Sequence, residues 1–171
     1  MVNKNKNTPR LVIIKAKKGD SMTPLITLEA RISLDTRPEQ HYKAGDIVAY
    51  IGYGGRITLH RIIFSTVTVS GKRYYILKGD HNRRADRYID EQYVFGRAQK
   101  IIYPSYDIDL TTPLSSCTAK VITHCGRVTI LYHRFYVLER IVTICLIKTL
   151  ILFARSSSLL CGKIPCGGDT R

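Results

Sequence analysis

Short runs of branched apolar residues, separated by turn residues, fill the first two thirds of the chain and constrain the fold more than any other feature. Such runs fall at 11–17, 25–33, 47–53, 57–65, 66–69, 74–78 and 94–102. The joints between them carry Gly, Pro, Asp or Asn, which favour turns. Runs of this kind are typical of β-strands, so the sequence predicts a mainly β body.

The pattern changes after about residue 104. Apolar residues then recur at helical spacing, as in Leu131, Phe135, Leu138 and Val142. This spacing predicts a C-terminal helix. The resulting division is a flexible basic tail at 1–10, a β domain at 11–104, a loop or linker at 105–125 with a short strand at 119–123, the helix at 126–155 and a flexible tail at 156–171.

The predicted helix is apolar but shorter than a membrane span requires. Its most apolar part, 141–154, contains Lys148, whereas a span needs about 20 apolar residues. An interfacial or domain-packed helix is therefore preferred, and a marginal membrane anchor is the alternative. The N-terminal segment is polar and basic, so no N-terminal signal or anchor is expected. The predicted localisation is membrane-associated or cytoplasmic.

Positive charge is in large excess, with 27 Lys and Arg against 13 Asp and Glu, a net charge of +14. Because the excess is scattered along the chain, it is typical of a solvated surface. The next interpretation is attraction to an anionic membrane surface, which would then be a partner of the protein. The sequence contains no nucleic-acid recognition motif, so no specific nucleic-acid partner is expected.

The five cysteines all lie in the last third of the chain, at Cys117, Cys125, Cys145, Cys161 and Cys166. An odd number at irregular positions is not typical of a disulfide framework. Cys161 and Cys166 lack the second Cys or His pair that a zinc site would need. We therefore expect reduced thiols, no metal and no cofactor.

Four short segments, in a fixed order, contain the candidate catalytic residues of the chain. In the first, G-D-S-M-T-P, Ser21 occupies a turn after the first predicted strand, where its hydroxyl and backbone N–H can face a cleft. Taken alone, a turn serine is usually structural or solvated. The second segment, K-A-G-D-I-V-A-Y at 43–50, predicts a tight turn and a core strand with no chemical role.

The third segment places His60 in the predicted strand at 57–65. Strand alternation puts Thr58, His60 and Ile62 on one face of the sheet. Leu59 and Arg61 then fall on the other face. An imidazole suits proton transfer near neutral pH, although a lone histidine in a strand is more often a core or surface residue.

The fourth segment, K-G-D-H-N at 78–82, is followed by Asp86 and combines a glycine turn with two carboxylates and several cations. As an ordinary loop it would be a solvated cluster of ion pairs. As a functional loop it would supply the carboxylate that orients an imidazole and stabilises its protonated form.

The succession G-x-S-M-x-P, G-D-I-V, H-R-I and K-G-D-x-N followed by an Asp resembles the type I signal peptidase family over roughly residues 11–103. It resembles the branch of the endoplasmic reticulum, archaea and some Gram-positive bacteria, which has a His in place of the Lys base. The resemblance implies a signal-peptidase-like antiparallel sheet or partial barrel, to which the sequence adds the C-terminal helix. It also implies a serine endopeptidase that removes a signal or leader peptide from a precursor protein.

The same resemblance implies roles for single residues. Ser21 corresponds to the nucleophile, His60 to the general base and Asp86 to the acidic third member. Asp80 is expected to hold the loop and is the second choice for the third member. Met22 and Pro24 are expected to fix the turn of the nucleophile.

Three departures from the family pattern leave a second function open. Gly19 stands where many bacterial members carry a hydroxyl residue that stabilises the oxyanion, and the usual membrane anchor is not seen before Ser21. The third is that the tract after residue 104 has no counterpart in the family pattern. The alternative is a catalytically inactive signal-peptidase-like protein that binds a peptide without cutting it. A basic nucleic-acid-binding module, suggested by net charge alone, is a third and weaker hypothesis.

Overall fold

The structure is a computed structural model that describes residues 11–16, 19–37, 41–86, 88–131 and 136–160. These residues form eight strands and two long helices, together with short 3₁₀ turns at Tyr53–Gly55 and Glu91–Tyr93. The strands are β1 (Leu11–Lys15), β2 (Arg31–Asp35), β3 (Ile47–Ile51), β4 (Ile57–Val67), β5 (Arg73–Lys78), β6 (Tyr88–Asp90), β7 (Val94–Ile102) and β8 (Asp107–Asp109). The helices are α1 (Pro113–Leu131) and α2 (Tyr136–Leu160). The predicted mainly β fold with a C-terminal helix is confirmed.

All eight strands belong to one open antiparallel sheet. Its order is β1-β2-β7-β3-β4-β5-β6, and β8 pairs with β7. In the centre, β3 pairs with β4 so that Val48 lies opposite His60. On the next ladder β4 pairs with β5, and Arg61 lies opposite Lys78. These two registers bring the second, third and fourth motif segments side by side.

The two faces of the sheet bury different apolar clusters. Because side chains alternate along a strand, Val48 and Tyr50 of β3 pack into one cluster, and Ile47 and Ala49 pack into the other. We call the first the tyrosine face, since it also contains Tyr42 and Tyr75. The second is the helix face, on which the sheet meets both helices.

Both helices contribute to the core on the helix face. Ile122 of α1 and Ile147, Leu150 and Ala154 of α2 are buried there together with residues of β2, β7 and β8. The helices therefore form one hydrophobic core with the sheet. Across the described residues, neither helix has the length and apolar character that crossing a bilayer requires.

The prediction of a loop or linker at 105–125 is wrong, since β8 and the first part of α1 occupy it. Pro113 is the first residue of α1, a position that suits the fixed φ of proline. Thr112 caps the helix, because its Oγ1 accepts a hydrogen bond from the Ser115 N–H at 3.2 Å. The strand expected at 119–123 is helical because Ile122 packs into the shared core, which outweighs the local preference of β-branched residues.

Other boundaries also differ from the prediction. The segment expected as a strand at 25–33 is mostly turn, and β2 begins only at Arg31. The strands expected at 57–65 and 66–69 are one long strand, β4, and the sequence did not predict β6 or β8. The predicted helix at 126–155 corresponds to the end of α1 and most of α2, and α2 continues into the predicted tail. The tails at 1–10 and 161–171 lie outside the described residues, as do Cys161 and Cys166.

The shared core predicts that a cavity in α2 destabilises the whole domain. We expect Ile147→Ala to lower the free energy of unfolding by about 2–5 kcal/mol, because the side chain is fully buried. Ile141→Ala is the matched control on the same helix, where the side chain is 55% exposed, and we expect a change within about 0.5 kcal/mol. Urea unfolding measures both variants. Equal stabilities would contradict a core shared between α2 and the sheet.

Candidate active site

His60 and Asp86 form the centre of the candidate site. His60 is buried in the middle of β4, and its Nδ1 lies 2.5 Å from Asp86 Oδ2. An ionised carboxylate can only accept a hydrogen bond, so Nδ1 carries the proton in this contact. In the neutral ring Nε2 is then the unprotonated nitrogen. The pair thus leaves His60 able to accept a proton at Nε2.

Tyr50 completes this cluster from the neighbouring strand β3. Its hydroxyl donates to Asp86 Oδ2 at 2.8 Å and lies 3.2 Å from His60 Nδ1. Burial raises the pKa of the Tyr50 phenol, and the negative charge of Asp86 raises it further. The phenol therefore stays protonated and serves as a donor that fixes the carboxylate. The sequence did not predict this role, because it depends on the register in which β3 pairs with β4.

Asp86 reaches His60 because the chain after β5 folds back over the end of that strand. The Asp86 N–H donates to the Leu77 carbonyl at 2.7 Å, which anchors the returning segment. The Asp86 side chain keeps 27% of its surface exposed. The carboxylate thus lies at the edge of the tyrosine face, between the buried imidazole and solvent.

Asp80 has a different partner. It accepts two hydrogen bonds from Arg61, from Nε at 2.9 Å and from Nη2 at 2.7 Å, and its side chain is only 2% exposed. Arg61 also donates from Nη1 to the Gly45 carbonyl at 3.0 Å. Because Arg61 follows His60 in β4, their side chains point to opposite faces. The structure therefore places Asp86, and not Asp80, beside the imidazole.

Ser21 lies on a turn that packs closely against the loop after β5. Its carbonyl accepts a hydrogen bond from the His81 N–H at 2.8 Å. Gly79 approaches so closely that a Cβ at this position would lie 2.5 Å from Ser21 O and 2.9 Å from Ser21 Cβ. Only glycine permits this approach. The motif glycine at position 79 is thus explained by its contact with the serine turn.

The serine turn adjoins the strand that carries His60. The ladder pairs Arg61 with Lys78, and continuing that register by one residue brings Gly79 across from His60. Within the described residues the side-chain hydrogen bonds of His60 are those of Nδ1 with Asp86 and Tyr50, and none joins its ring to the Ser21 hydroxyl. The structure therefore brings His60 and Asp86 into contact and holds Ser21 on the adjoining loop.

The residues around Ser21 anchor its turn. Met22 is buried in the core of the helix face, and its carbonyl accepts from the Ile26 N–H at 3.0 Å. The Thr23 N–H donates to the Asp20 carbonyl at 2.9 Å, and the Thr23–Pro24 peptide bond is cis. The turn is thus tied to the core on one side and to the loop after β5 on the other.

No protein-family model and no curated protein matches the chain. The resemblance described from the motifs therefore remains a prediction.

The close approach at Gly79 predicts a specific sensitivity to added volume. We expect Gly79→Ala to lower the free energy of unfolding by about 1–3 kcal/mol, because the new methyl group would overlap backbone atoms of Ser21. It should also speed hydrogen exchange at the His81 amide, which is bonded to Ser21 O.

Gly126→Ala is the control for this variant. A Cβ there would lie 3.2 Å from Ile63 Cδ1, the end of a flexible side chain, and at an ordinary contact distance of 3.6 Å from Glu139 Oε1. Alanine also favours the helix by up to about 1 kcal/mol. We expect unchanged exchange at His81 in the control. Unchanged stability and exchange in Gly79→Ala would show that the serine turn is not held against this glycine.

Proposed function

We propose that the protein is a serine endopeptidase that removes a signal or leader peptide from a precursor protein. Ser21 would be the nucleophile, His60 the general base and Asp86 the residue that orients the base. The observation that carries the proposal is the contact between Nδ1 of the buried His60 and the carboxylate of the partly exposed Asp86. This contact leaves Nε2 as the basic nitrogen of a residue on β4, whose neighbour β5 leads into the loop against which the serine turn packs.

The proposed mechanism is that of a serine hydrolase. His60 Nε2 takes the proton of the Ser21 hydroxyl as Oγ attacks the carbonyl carbon of the scissile bond. Asp86 stabilises the imidazolium that forms, and Tyr50 holds Asp86 in place through its 2.8 Å hydrogen bond. The imidazolium then gives its proton to the leaving amine. Water then replaces the amine, and His60 Nε2 takes its proton as the water oxygen attacks the carbonyl carbon of the acyl-enzyme. The ester bond to Ser21 breaks, the carboxylic acid product leaves, and the proton returns to Ser21 Oγ.

The oxyanion that forms on the substrate requires a donor. The Ser21 backbone N–H would supply one, a type of group worth about 3–4 kcal/mol in other hydrolases. Gly19 carries no hydroxyl that could supply a second donor two positions earlier. The proposed site therefore depends strongly on the geometry of the Ser21 turn.

The substrate expected from the resemblance is an extended leader peptide with small side chains before the cut. An extended segment can bind beside a strand through main-chain hydrogen bonds. The net charge of +14 would add attraction to an anionic membrane surface.

The first test removes the nucleophile. We expect Ser21→Ala to lower the rate of leader-peptide cleavage by about 10³-fold or more, since no hydroxyl remains to form the acyl-enzyme. Ser116→Ala removes an exposed hydroxyl on α1 and should cleave at the wild-type rate. A leader-peptide library with mass-spectrometric detection measures both. Equal cleavage by wild type and Ser21→Ala would reject the proposal.

The second test separates the two carboxylates. Asp86→Asn should lower kcat by about 10⁴-fold with little loss of stability, because an amide neither selects the required tautomer nor stabilises the imidazolium. Asp80→Asn should instead lower stability by about 3–5 kcal/mol, because it leaves Arg61 buried without its charged partner. Kinetics and urea unfolding on both variants measure the contrast. If Asp80→Asn were stable and lost kcat while Asp86→Asn kept it, Asp80 and not Asp86 would be the third member.

A catalytically inactive peptide-binding protein is the second candidate. The observation that favours it is that no hydrogen bond joins the Ser21 hydroxyl to His60 within the described residues. It predicts binding of a leader peptide without cleavage and no labelling of Ser21 by a fluorophosphonate probe. Labelling of Ser21 in the wild type but not in His60→Ala would exclude it.

A further inference from the structure

Lys78 is a buried cation directly before the loop that supports Ser21. Its side chain is 3% exposed, and its Nζ donates to Glu139 Oε1 of α2 at 2.5 Å. Glu139 is itself 5% exposed on the side chain. Sixty-one positions separate the two residues in the sequence. This ion pair therefore links the helix directly to the end of β5.

The position of Lys78 in the sheet makes a negatively charged partner necessary. Arg61 lies directly opposite it on β4, and like charges on opposed residues are destabilising. Asp80 neutralises Arg61 from within the loop. The carboxylate that the structure gives to Lys78 is that of Glu139. Within the described residues no carboxylate of the loop after β5 pairs with Lys78, so the charge balance of this strand depends on α2.

The carboxylate of Glu139 is committed to this pair. Its second oxygen, Oε2, is buried and has no hydrogen-bond partner among the described residues. A buried carboxylate with one oxygen unpaired is costly, and the contact with Lys78 is what compensates for its burial.

Two further contacts join the beginning of α2 to the same loop. Arg140 Nη2 lies 3.3 Å from His81 Nε2, and the His81 N–H in turn donates to Ser21 O. The guanidinium of Arg83 lies over the ring of Tyr136, 5.7 Å from its centroid. Three contacts thus join the first turns of α2 to this part of the chain, at Lys78, at His81 and at Arg83.

We propose that Glu139 is a positioning residue of the site. By neutralising Lys78, it holds the first turns of α2 against the loop, and the loop holds the turn of Ser21. The alignment of the nucleophile would therefore depend on a helix outside the span covered by the motifs. The consequence for catalysis rests on the proposed function, but the docking of helix and loop does not.

The experiment compares Glu139→Gln with the double variant Lys78→Met/Glu139→Leu. The single variant leaves the Lys78 charge buried without a partner, whereas the double variant replaces the ion pair by apolar contacts of similar size. Ile141→Ala is the control on an exposed position of α2. Hydrogen exchange at the His81 amide reports the loop without any need for catalysis. kcat and KM on a cleaved leader peptide report the alignment of Ser21.

We expect Glu139→Gln to speed exchange at His81 more than at amides of β7, and to lower kcat about 10–100-fold with KM nearly unchanged. In the double variant, both exchange at His81 and kcat should return most of the way to the wild-type values. Slow exchange at His81 in Glu139→Gln, equal to that in the wild type, would overturn the inference. So would uniformly faster exchange across the sheet with an unchanged kcat of the folded protein, which indicates a general structural role. If no variant cleaves any peptide, the proposed function fails while the exchange measurements still decide whether α2 holds the loop.

Discussion

Two buried cations on adjacent strands determine how the loop after β5 and helix α2 meet the sheet. Arg61 and Lys78 face each other across the ladder between β4 and β5, and each needs a carboxylate within the protein. The short loop after β5 supplies Asp80, and the distant helix α2 supplies Glu139. Satisfying both charges fixes the loop and the helix at the same end of the sheet. The turn of Ser21 packs at that end.

Strand alternation then places the residues of the candidate site on the opposite face of the sheet. His60 precedes Arg61, so the same strand sends a structural cation to the helix face and an imidazole to the tyrosine face. The two carboxylates of the loop divide in the same way, since Asp80 binds Arg61 and Asp86 binds His60. The sequence alone left the choice between them open. The geometry associates each carboxylate with one face of a single strand.

The sequence predicted features that short local patterns determine, and it missed those that depend on contacts between distant segments. The bounds of β7 were predicted correctly because it begins and ends with pairs of apolar residues and Pro104 follows soon after. Ser21, His60 and Asp86 were selected by short motifs. Tyr50 was missed because its contact with Asp86 requires the register between β3 and β4. The start of α1 was missed although Thr112 and Pro113 form a recognisable cap and first position. Glu139 carried no local signal, since its partner is Lys78 on a strand far away in the sequence.

The boundary predicted near residue 104 does not separate the β domain from the helices, since the two share one core. Ile122 of α1 and Ile147 of α2 complete the core over which β2 and β7 are packed, and Glu139 completes the charge balance of β5. A sheet without the helices would expose that core and leave Lys78 without a partner. Because the loop after Lys78 carries both Gly79 and Asp86, the helices and the candidate site are parts of one structural unit, whichever chemistry the site performs.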